Sequence, residues 1–125
     1  MAIRYKTQKK RNGINQNSKY YAIPVKAGTI DTREIAKYIA ARSSLTPADV
    51  RATLIELAEV MEMFLHGGCN VKLDDLGTFS ISATSDGYDT PEECTPHLVR
   101  ANKLCFIADP QIKKNLKKVT FERKK

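Results

Sequence analysis

The sequence predicts an α+β fold in which two helices are followed by a small antiparallel sheet. Apolar residues recur at helical spacing across residues 32–66 and alternate with polar residues across residues 71–82. The 125 residues suffice for one domain core of ordinary size and not for two. A hydrophobic fraction of 42% excludes a wholly disordered polymer, and three cysteines without a C-x-x-C pair favour reduced thiols over a disulfide framework.

Two start signals predict the helices. Asp31-Thr32-Arg33-Glu34 has the pattern of a capping box and begins a helix over about residues 32–42. Thr46 then provides a second N-cap, followed by Pro47 at the first helical position, where its missing N–H costs no hydrogen bond. This second helix is predicted to run to about His66, where a pair of glycines ends it.

The second helix is too apolar to be covered by one neighbouring element. Its apolar residues span an arc of roughly 160°, wider than the stripe needed to cover one partner. The first helix and a small sheet offer too little cover, so we expect a homodimer whose core is shared between subunits. The residues predicted for this dimer core are Leu54, Leu57, Met61, Phe64 and Phe79.

A three-stranded sheet is predicted after the helices. Val71–Leu73 and Phe79–Ile81 alternate apolar and polar side chains on either side of a turn at residues 74–77, which indicates a hairpin. Residues 84–97 contain four acids and no Lys or Arg, and they predict an exposed loop or a protruding arm. Apolar character returns over residues 98–107, which we expect to form the third strand.

Both ends of the chain add further elements. Asp109-Pro110 begins a last helix in which Ile112, Leu116 and Val119 form one apolar edge. At the other end, the strand-like runs Ile3–Thr7 and Tyr20–Val25 flank a turn-rich stretch containing Asn12-Gly13. We expect one or two extra strands against the domain, with Lys9-Lys10-Arg11 exposed on the loop between them.

Charge is distributed unevenly along the chain. Residues 1–30 contain seven Lys or Arg and no acid, residues 31–100 contain six basic and twelve acidic side chains, and residues 101–125 contain eight basic and two acidic ones. Two basic ends around an acidic middle point to a polyanion such as nucleic acid, and solvated tails are the alternative interpretation. No apolar run could cross a bilayer and no signal peptide is evident, so we expect a cytoplasmic protein without a membrane partner.

The order of elements resembles the bacterial histone-like DNA-binding family of HU and integration host factor. Residues 71–79 are similar to that family's V-x-L-x-G-F-G-T-F hairpin, with Asp75 and Leu76 in place of the first Gly and the Phe. The resemblance covers about residues 31–119, and the Lys19–Ala22 and Val119–Lys124 segments look like the extended HU-like proteins of Bacteroidetes-type bacteria.

The resemblance implies a fold and a domain division. The fold is an α+β, HU-like intertwined dimer with two N-terminal helices, a three-stranded antiparallel sheet with a protruding arm and a short C-terminal helix. The division is a basic N-terminal β extension over residues 1–30 and an HU-like DNA-binding domain over residues 31–125, with the arm at about residues 83–100.

The chain departs from the family at the arm. Bending members carry an arm rich in Arg and Lys with an R-N-P-x-T-G tip, whereas residues 84–93 here contain Asp86, Asp89, Glu92 and Glu93. Four carboxylates would oppose the release of counterions that dominates binding to phosphates, so the minor-groove clamp does not carry over. Phosphate contacts are expected instead from the basic segments, at Lys9, Lys10, Arg11, Arg100, Lys103, Lys113, Lys114, Lys117 and Lys118.

The sequence offers little support for catalysis or for metal binding. The sequence contains no G-x-G-x-x-G or G-K-[ST] loop and no evident catalytic constellation, so we expect no enzyme activity, no cofactor and no small-molecule substrate. His66-x-x-Cys69 and Cys94-x-x-His97 could together supply a zinc ligand set. A helix-terminal histidine with unrelated thiols explains the same residues, and we predict no metal site.

Two functions follow as hypotheses. The first is a nucleoid-associated, histone-like homodimer that binds duplex DNA without sequence specificity, with RNA as an alternative ligand that the sequence leaves open. The second is an HU-like dimer that does not bend DNA and serves as a protein-interaction or structural module, with the acidic arm as its contact.

Overall fold

A computed structural model describes residues 1–11, 13 and 18–124, and it confirms an α+β architecture. The chain divides into two units, which are described separately. Unit 1 comprises Met1–Ile30 together with Lys114–Lys125, and unit 2 comprises Asp31–Lys113. In chain order the regular elements are β1 (Ile3–Arg11), β2 (Ser18–Pro24), α1 (Thr32–Ala41), α2 (Pro47–His66), β3 (Val71–Leu73), β4 (Gly77–Thr84), β5 (Arg100–Ala108), α3 (Pro110–Lys114) and β6 (Phe121–Arg123).

Both predicted helices of unit 2 form, and their N-termini are capped as the sequence indicates. The Asp31 side chain accepts a hydrogen bond from the backbone N–H of Glu34 at 3.0 Å. Thr46 and Asp49 form a complete capping box, because each side chain accepts from the other's backbone N–H. α1 packs against α2, and α2 also contacts β3 and β4.

The sheet of unit 2 is antiparallel with the strand order β3-β4-β5. Asp75, in the turn between β3 and β4, has a φ of 66°, a left-handed conformation that Asp tolerates better than most residues. This explains how Asp75 can stand where the HU pattern has Gly. A bulge between Ser82 and Ala83 shifts the β4–β5 register, and the Ser82 hydroxyl accepts from the Lys103 N–H at 3.2 Å.

The acidic segment, residues 85–99, connects β4 to β5. It contains two short 3₁₀ turns, Pro91–Glu93 and Pro96–Leu98, so the third strand begins at Arg100 and not at residue 98 as predicted. Each turn begins with a proline, whose fixed φ suits the first position of a helical turn.

The last helix is shorter than the sequence predicts. α3 ends at Lys114, and residues Asn115–Lys118 continue as a 3₁₀ turn. The predicted apolar edge finds no cover, since Ile112 and Leu116 are exposed. An uncovered helix of this length is marginal in water, which accounts for its early end.

Unit 1 is a separate three-stranded sheet with the order β2-β1-β6. β1 pairs antiparallel with β2 and parallel with β6, which the sequence analysis did not predict as a strand. This pairing places the C-terminal segment with the N-terminal strands, whereas the sequence analysis assigned it to the 31–125 domain. The predicted Asn12-Gly13 turn falls between β1 and β2, where Asn12 and residues 14–17 lie outside the described residues.

One expectation for the N-terminal segment needs correction. Lys9, Lys10 and Arg11 do not lie on a loop: they are the last three residues of β1, opposite Tyr20, Lys19 and Ser18 of β2. They are exposed, as expected. The two expected extra strands form, and they pair with each other and with β6.

Little of the apolar surface is covered within one chain. Among the described residues, only the apolar side chains of Ala36, Val50 and Leu65 are buried. Of the residues predicted for the dimer core, Leu54, Leu57, Met61 and Phe79 are half-buried and Phe64 is 48% exposed. The Phe79 ring packs on Phe106 with centroids 4.8 Å apart. None of the described helices is long and apolar enough to span a membrane.

Gly77 provides a test of the β4–β5 packing. A Cβ at this position would overlap the carbonyl oxygen of Ile107 and the ring of Phe106. We therefore expect Gly77→Ala to lower the free energy of unfolding by about 1–3 kcal/mol, measured by urea denaturation followed by circular dichroism. Gly87→Ala is the control, because a Cβ added there would meet no other atom within 4 Å. Equal midpoints for the two variants would contradict the described packing.

Candidate nucleic-acid interface

The two units carry opposite charge. Unit 1 contains thirteen Lys or Arg and one acid, Glu122, which gives a formal net charge of +12. Unit 2 contains eight basic and thirteen acidic side chains, a net charge of −5. The positive charge of the chain is therefore concentrated in the smaller unit, where β1 joins the N-terminal and C-terminal segments.

A cleft of about 980 Å³ lies in unit 1 where the two segments meet. Met1, Ile3 and Val119 contribute apolar walls to this cleft. Hydrogen bonds hold its two sides together: the Ile3 N–H donates to the Thr120 carbonyl at 2.9 Å, and the Lys124 N–H donates to the Tyr5 carbonyl at 2.8 Å. The cationic side chains that line the cleft are Arg4, Lys26, Lys118 and Lys124.

Three of these four cations were not predicted as phosphate contacts from the sequence. Lys118 was predicted as a phosphate contact, whereas Arg4, Lys26 and Lys124 were not singled out. Their sequence positions are far apart, and only the pairing of β1 with β6 brings them to one cleft. The basic composition of residues 1–30 was the one available signal for Arg4 and Lys26.

Three further basic residues of β1, Lys9, Lys10 and Arg11, lie at its C-terminal end. Side chains alternate between the two faces of a strand, so Lys10 lies on one face and Lys9 and Arg11 on the other. The Lys10 ammonium lies 5.9 Å from the centroid of the Tyr21 ring, within the range of a cation–π contact.

The predicted C-terminal and sheet cations are divided between the units. Lys114, Lys117 and Lys118 belong to unit 1, and Lys113 belongs to unit 2. Arg100 and Lys103 also lie in unit 2, on β5, opposite Thr84 and Ser82 of β4. The nine predicted phosphate contacts therefore do not form a single cluster within either unit.

The acidic segment carries the opposite potential. Its small cleft, about 400 Å³, is lined by Asp86 and Asp89 together with Tyr88 and Pro91. Glu92 and Glu93, in the first 3₁₀ turn, are exposed. The carboxylates of this surface oppose the binding of phosphates.

The histidines and cysteines considered for zinc have other neighbours. His66 Nε2 lies 3.7 Å from Glu62 Oε1 on the same helix, and His97 Nε2 lies 3.3 Å from Thr95 Oγ1. Within residues 1–11, 13 and 18–124, no three His, Cys, Asp or Glu side chains are grouped as metal ligands. Cys69 and Cys94 are free thiols.

Residues 1–123 match a protein family described as an HU domain fused to a wHTH, Ig or glycine-rich motif, HU-HIG. The chain belongs to the HU-HIG family. The resemblance to HU drawn from the hairpin motif is thereby confirmed, and the family match also includes the strands of unit 1 that precede the HU-like helices.

Solved structures show the same fold. A chain from Bacteroides vulgatus, described as a candidate bacterial DNA-binding protein, is 10% identical with a TM-score of 0.65, and the match covers 98% of this chain. This HU-HIG chain spans about half of that protein, 49% of its length. HU from Anabaena, crystallised with DNA, is 16% identical with a TM-score of 0.53, and the match covers 70% of this chain and 97% of that one. No curated protein matches the sequence significantly.

Proposed function

We propose that this HU-HIG protein is a histone-like, nucleoid-associated homodimer that binds duplex DNA without sequence specificity and has no enzymatic activity. The observation that carries the proposal is the concentration of thirteen Lys or Arg and one acid in unit 1, with cations from both ends of the chain around one cleft. The HU in the Anabaena structure is bound to DNA, which supports the same class of ligand here.

The positions of the basic side chains in unit 1 favour contacts to DNA phosphates over contacts to DNA bases. Most of the described basic side chains of unit 1 are exposed Lys and Arg on a sheet and a 3₁₀ turn. Apart from Lys114 at the end of α3, the described residues of unit 1 include no α-helix that could enter a major groove. Contacts of this kind position a protein on the backbone without reading the sequence. Binding would therefore be tolerant of sequence and sensitive to salt.

The exposed surface supports the dimer. The chain has 11051 Å² of accessible surface. A compact protein of its mass would expose about 6,700 Å², and two separately compact units of these sizes would expose about 8,000 Å². The excess, about 3,000 Å² per chain, corresponds to about 6,000 Å² over two protomers, the size of the larger obligate interfaces. Much of it is apolar, including Ile55, Met63, Leu104 and Phe106, each more than half exposed.

The acidic segment favours the second candidate function. With four carboxylates and an acidic cleft, it could contact a basic protein surface, as an HU-like structural module without DNA-bending activity would require. The two functions differ in what the basic sheet of unit 1 does, and measurements of DNA affinity against salt distinguish them.

The dimer prediction is tested by mass and by a buried charge. Sedimentation equilibrium at micromolar concentration should give twice the chain mass of 14.0 kDa. Leu57→Asp should unfold the protein, because it would place an unpaired charge in the shared core. Ala48→Asp, at an exposed position in the first turn of α2, is the control and should stay folded, because an acid there suits the positive end of the helix dipole. A well-folded species at the mass of one chain would refute the dimer.

Salt dependence tests the phosphate contacts. If the dimer neutralises six to ten phosphates, log K should fall against log salt with a slope of about −5 to −9 in fluorescence anisotropy with random duplex DNA. In the homodimer the triple variant Lys117→Gln, Lys118→Gln, Lys124→Gln removes six cations, so it should reduce the steepness by up to about 5 and weaken all duplexes alike. Substitutions are used because deletion of residues 1–11 would remove the central strand of unit 1.

The matched control removes the same charge from unit 2, as Lys37→Gln, Arg42→Gln, Lys72→Gln, and should change the slope less. Equal effects of the two triple variants would show that net charge alone governs binding. No binding to duplex DNA at low salt would overturn the DNA-binding proposal and favour the interaction module.

The acidic segment is tested by neutralising it. Replacing its four carboxylates by amides, as Asp86→Asn, Asp89→Asn, Glu92→Gln and Glu93→Gln, should leave the affinity for duplex DNA unchanged or raise it, because repulsion of phosphates is relieved. The same anisotropy titration measures the effect, with circular dichroism to verify folding. A marked loss of affinity in a folded variant would show that the segment contributes to DNA binding.

A further inference from the structure

One face of the unit 1 sheet carries aromatic side chains from all three strands. In the sheet, Tyr5 lies opposite Pro24, Lys9 opposite Tyr20, and Ile3 beside Phe121. Residues in register share a face, and alternate residues of β1 return to it, so Tyr5, Tyr20 and Phe121 lie on the same side. We call this side the aromatic face.

The aromatic rings on this face are available to a ligand. Tyr20 is 68% exposed and Phe121 is 59% exposed, while Tyr5 is half-buried. Exposed aromatic rings that share one face of a sheet mark an interaction site more strongly than a single exposed ring, and aromatic residues are enriched where a partner binds.

Cations alternate with the rings on the aromatic face. By the same register, Lys9 and Arg11 of β1 and Arg123 of β6 share the side of Tyr20 and Phe121. The single acid of unit 1, Glu122, is paired with Arg4 and therefore lies on the opposite side. A ligand that covers the aromatic face must be compatible with flat apolar rings and with positive charge.

We propose that the aromatic face binds unpaired nucleic acid bases of single-stranded DNA, which stack on Tyr20 and Phe121 while Lys9, Arg11 and Arg123 contact the backbone phosphates. A base exposes its flat surface only when it leaves the duplex, and aromatic rings in a positively charged groove bind such bases with little sequence preference. This ligand is distinct from the duplex of the proposed function, whose bases are stacked on each other and cannot reach the rings.

The opposite face of the same sheet serves as a comparison. Tyr21 is 46% exposed there, but the Lys10 ammonium already lies over its ring at 5.9 Å. Tyr20 has no such cation–π partner among the described residues. The two neighbouring tyrosines therefore provide a matched pair, one open to stacking and one covered by its own chain.

A second copy of the same face is a poor occupant. Two aromatic faces in contact would place Lys9, Arg11 and Arg123 of one protomer against the same cations of its partner. Like charges across an interface are unfavourable. Nucleic acid provides the complementary charge together with flat apolar surfaces, which an acidic protein segment offers less regularly.

The experiment compares a base-containing strand with an abasic strand of equal length. Fluorescence anisotropy with labelled oligo-dT, with an abasic oligonucleotide and with duplex DNA of the same length separates stacking from phosphate contacts. The intact protein should bind oligo-dT more tightly than the abasic strand. Tyr20→Ala and Phe121→Ala should each weaken oligo-dT binding by about five- to 100-fold, with changes below about twofold for the abasic strand and the duplex.

Two further variants test whether the Tyr20 ring itself stacks on the bases. Tyr20→Phe should retain oligo-dT binding, because stacking needs the ring and not the hydroxyl group. Tyr21→Ala should alter oligo-dT binding by less than about twofold, because its ring faces the other side. Circular dichroism and sedimentation verify that each variant keeps its fold and oligomeric state.

Several outcomes would overturn the inference. Equal losses for oligo-dT and the abasic strand in Tyr20→Ala would assign the residue to phosphate binding or to folding. A change of oligomeric state in that variant would assign the face to self-association. If poly-glutamate displaces oligo-dT and the abasic strand from the wild-type protein at the same concentration, the face binds polyanions in general. None of these results depends on duplex affinity, so the proposed function stands or falls separately.

Discussion

The pairing of β1 with both β2 and β6 is the constraint on which the basic surface depends. The backbone hydrogen bonds of one central strand hold together segments from the two ends of the sequence. Without them, Arg4 and Lys26 would lie on one flexible segment, and Lys118 and Lys124 on another. Because like charges repel, these side chains would then separate, and the strand pairing keeps them near one cleft.

Charge and apolar surface are assigned to different parts of the chain. Unit 1 has the positive charge, while unit 2 has the helices, a negative net charge and most of the exposed large apolar side chains. In α2, Ile55 and Met63 are more exposed than Leu54 and Leu57. Apolar residues therefore lie on the exposed side of this helix as well as on its half-buried side, and no side is fully polar. One unit is thus suited to polyanions, and the other to burial against a second protomer.

Local signals predicted the elements of unit 2 well. The side-chain acceptors Asp31 and Thr46 fix where the helices begin, because a helix start depends on a few adjacent residues. The period of two around residues 74–77 fixed the hairpin for the same reason, and the hairpin motif identified the family.

β6 was missed because three residues carry little local signal and their partner is at the other end of the sequence. Lys9–Arg11 were placed on a loop because three consecutive cations hide the alternation of a strand. The cleft was not predictable, since it exists only through that distant pairing.

The parallel contact of β1 with β6 also makes unit 1 discontinuous, with all of unit 2 inserted between its two parts. Thr120 and Met1, which share a hydrogen bond, are 119 positions apart. A contact between residues so far apart in the sequence forms late in folding. The conformational entropy lost on closing the intervening loop opposes it until the contact is made. On the ribosome, the inserted helices and hairpin can emerge and fold while β1 and β2 have no third strand. The sheet that gathers the basic residues is completed only after Phe121 has been synthesised, so it assembles after the inserted helices and hairpin.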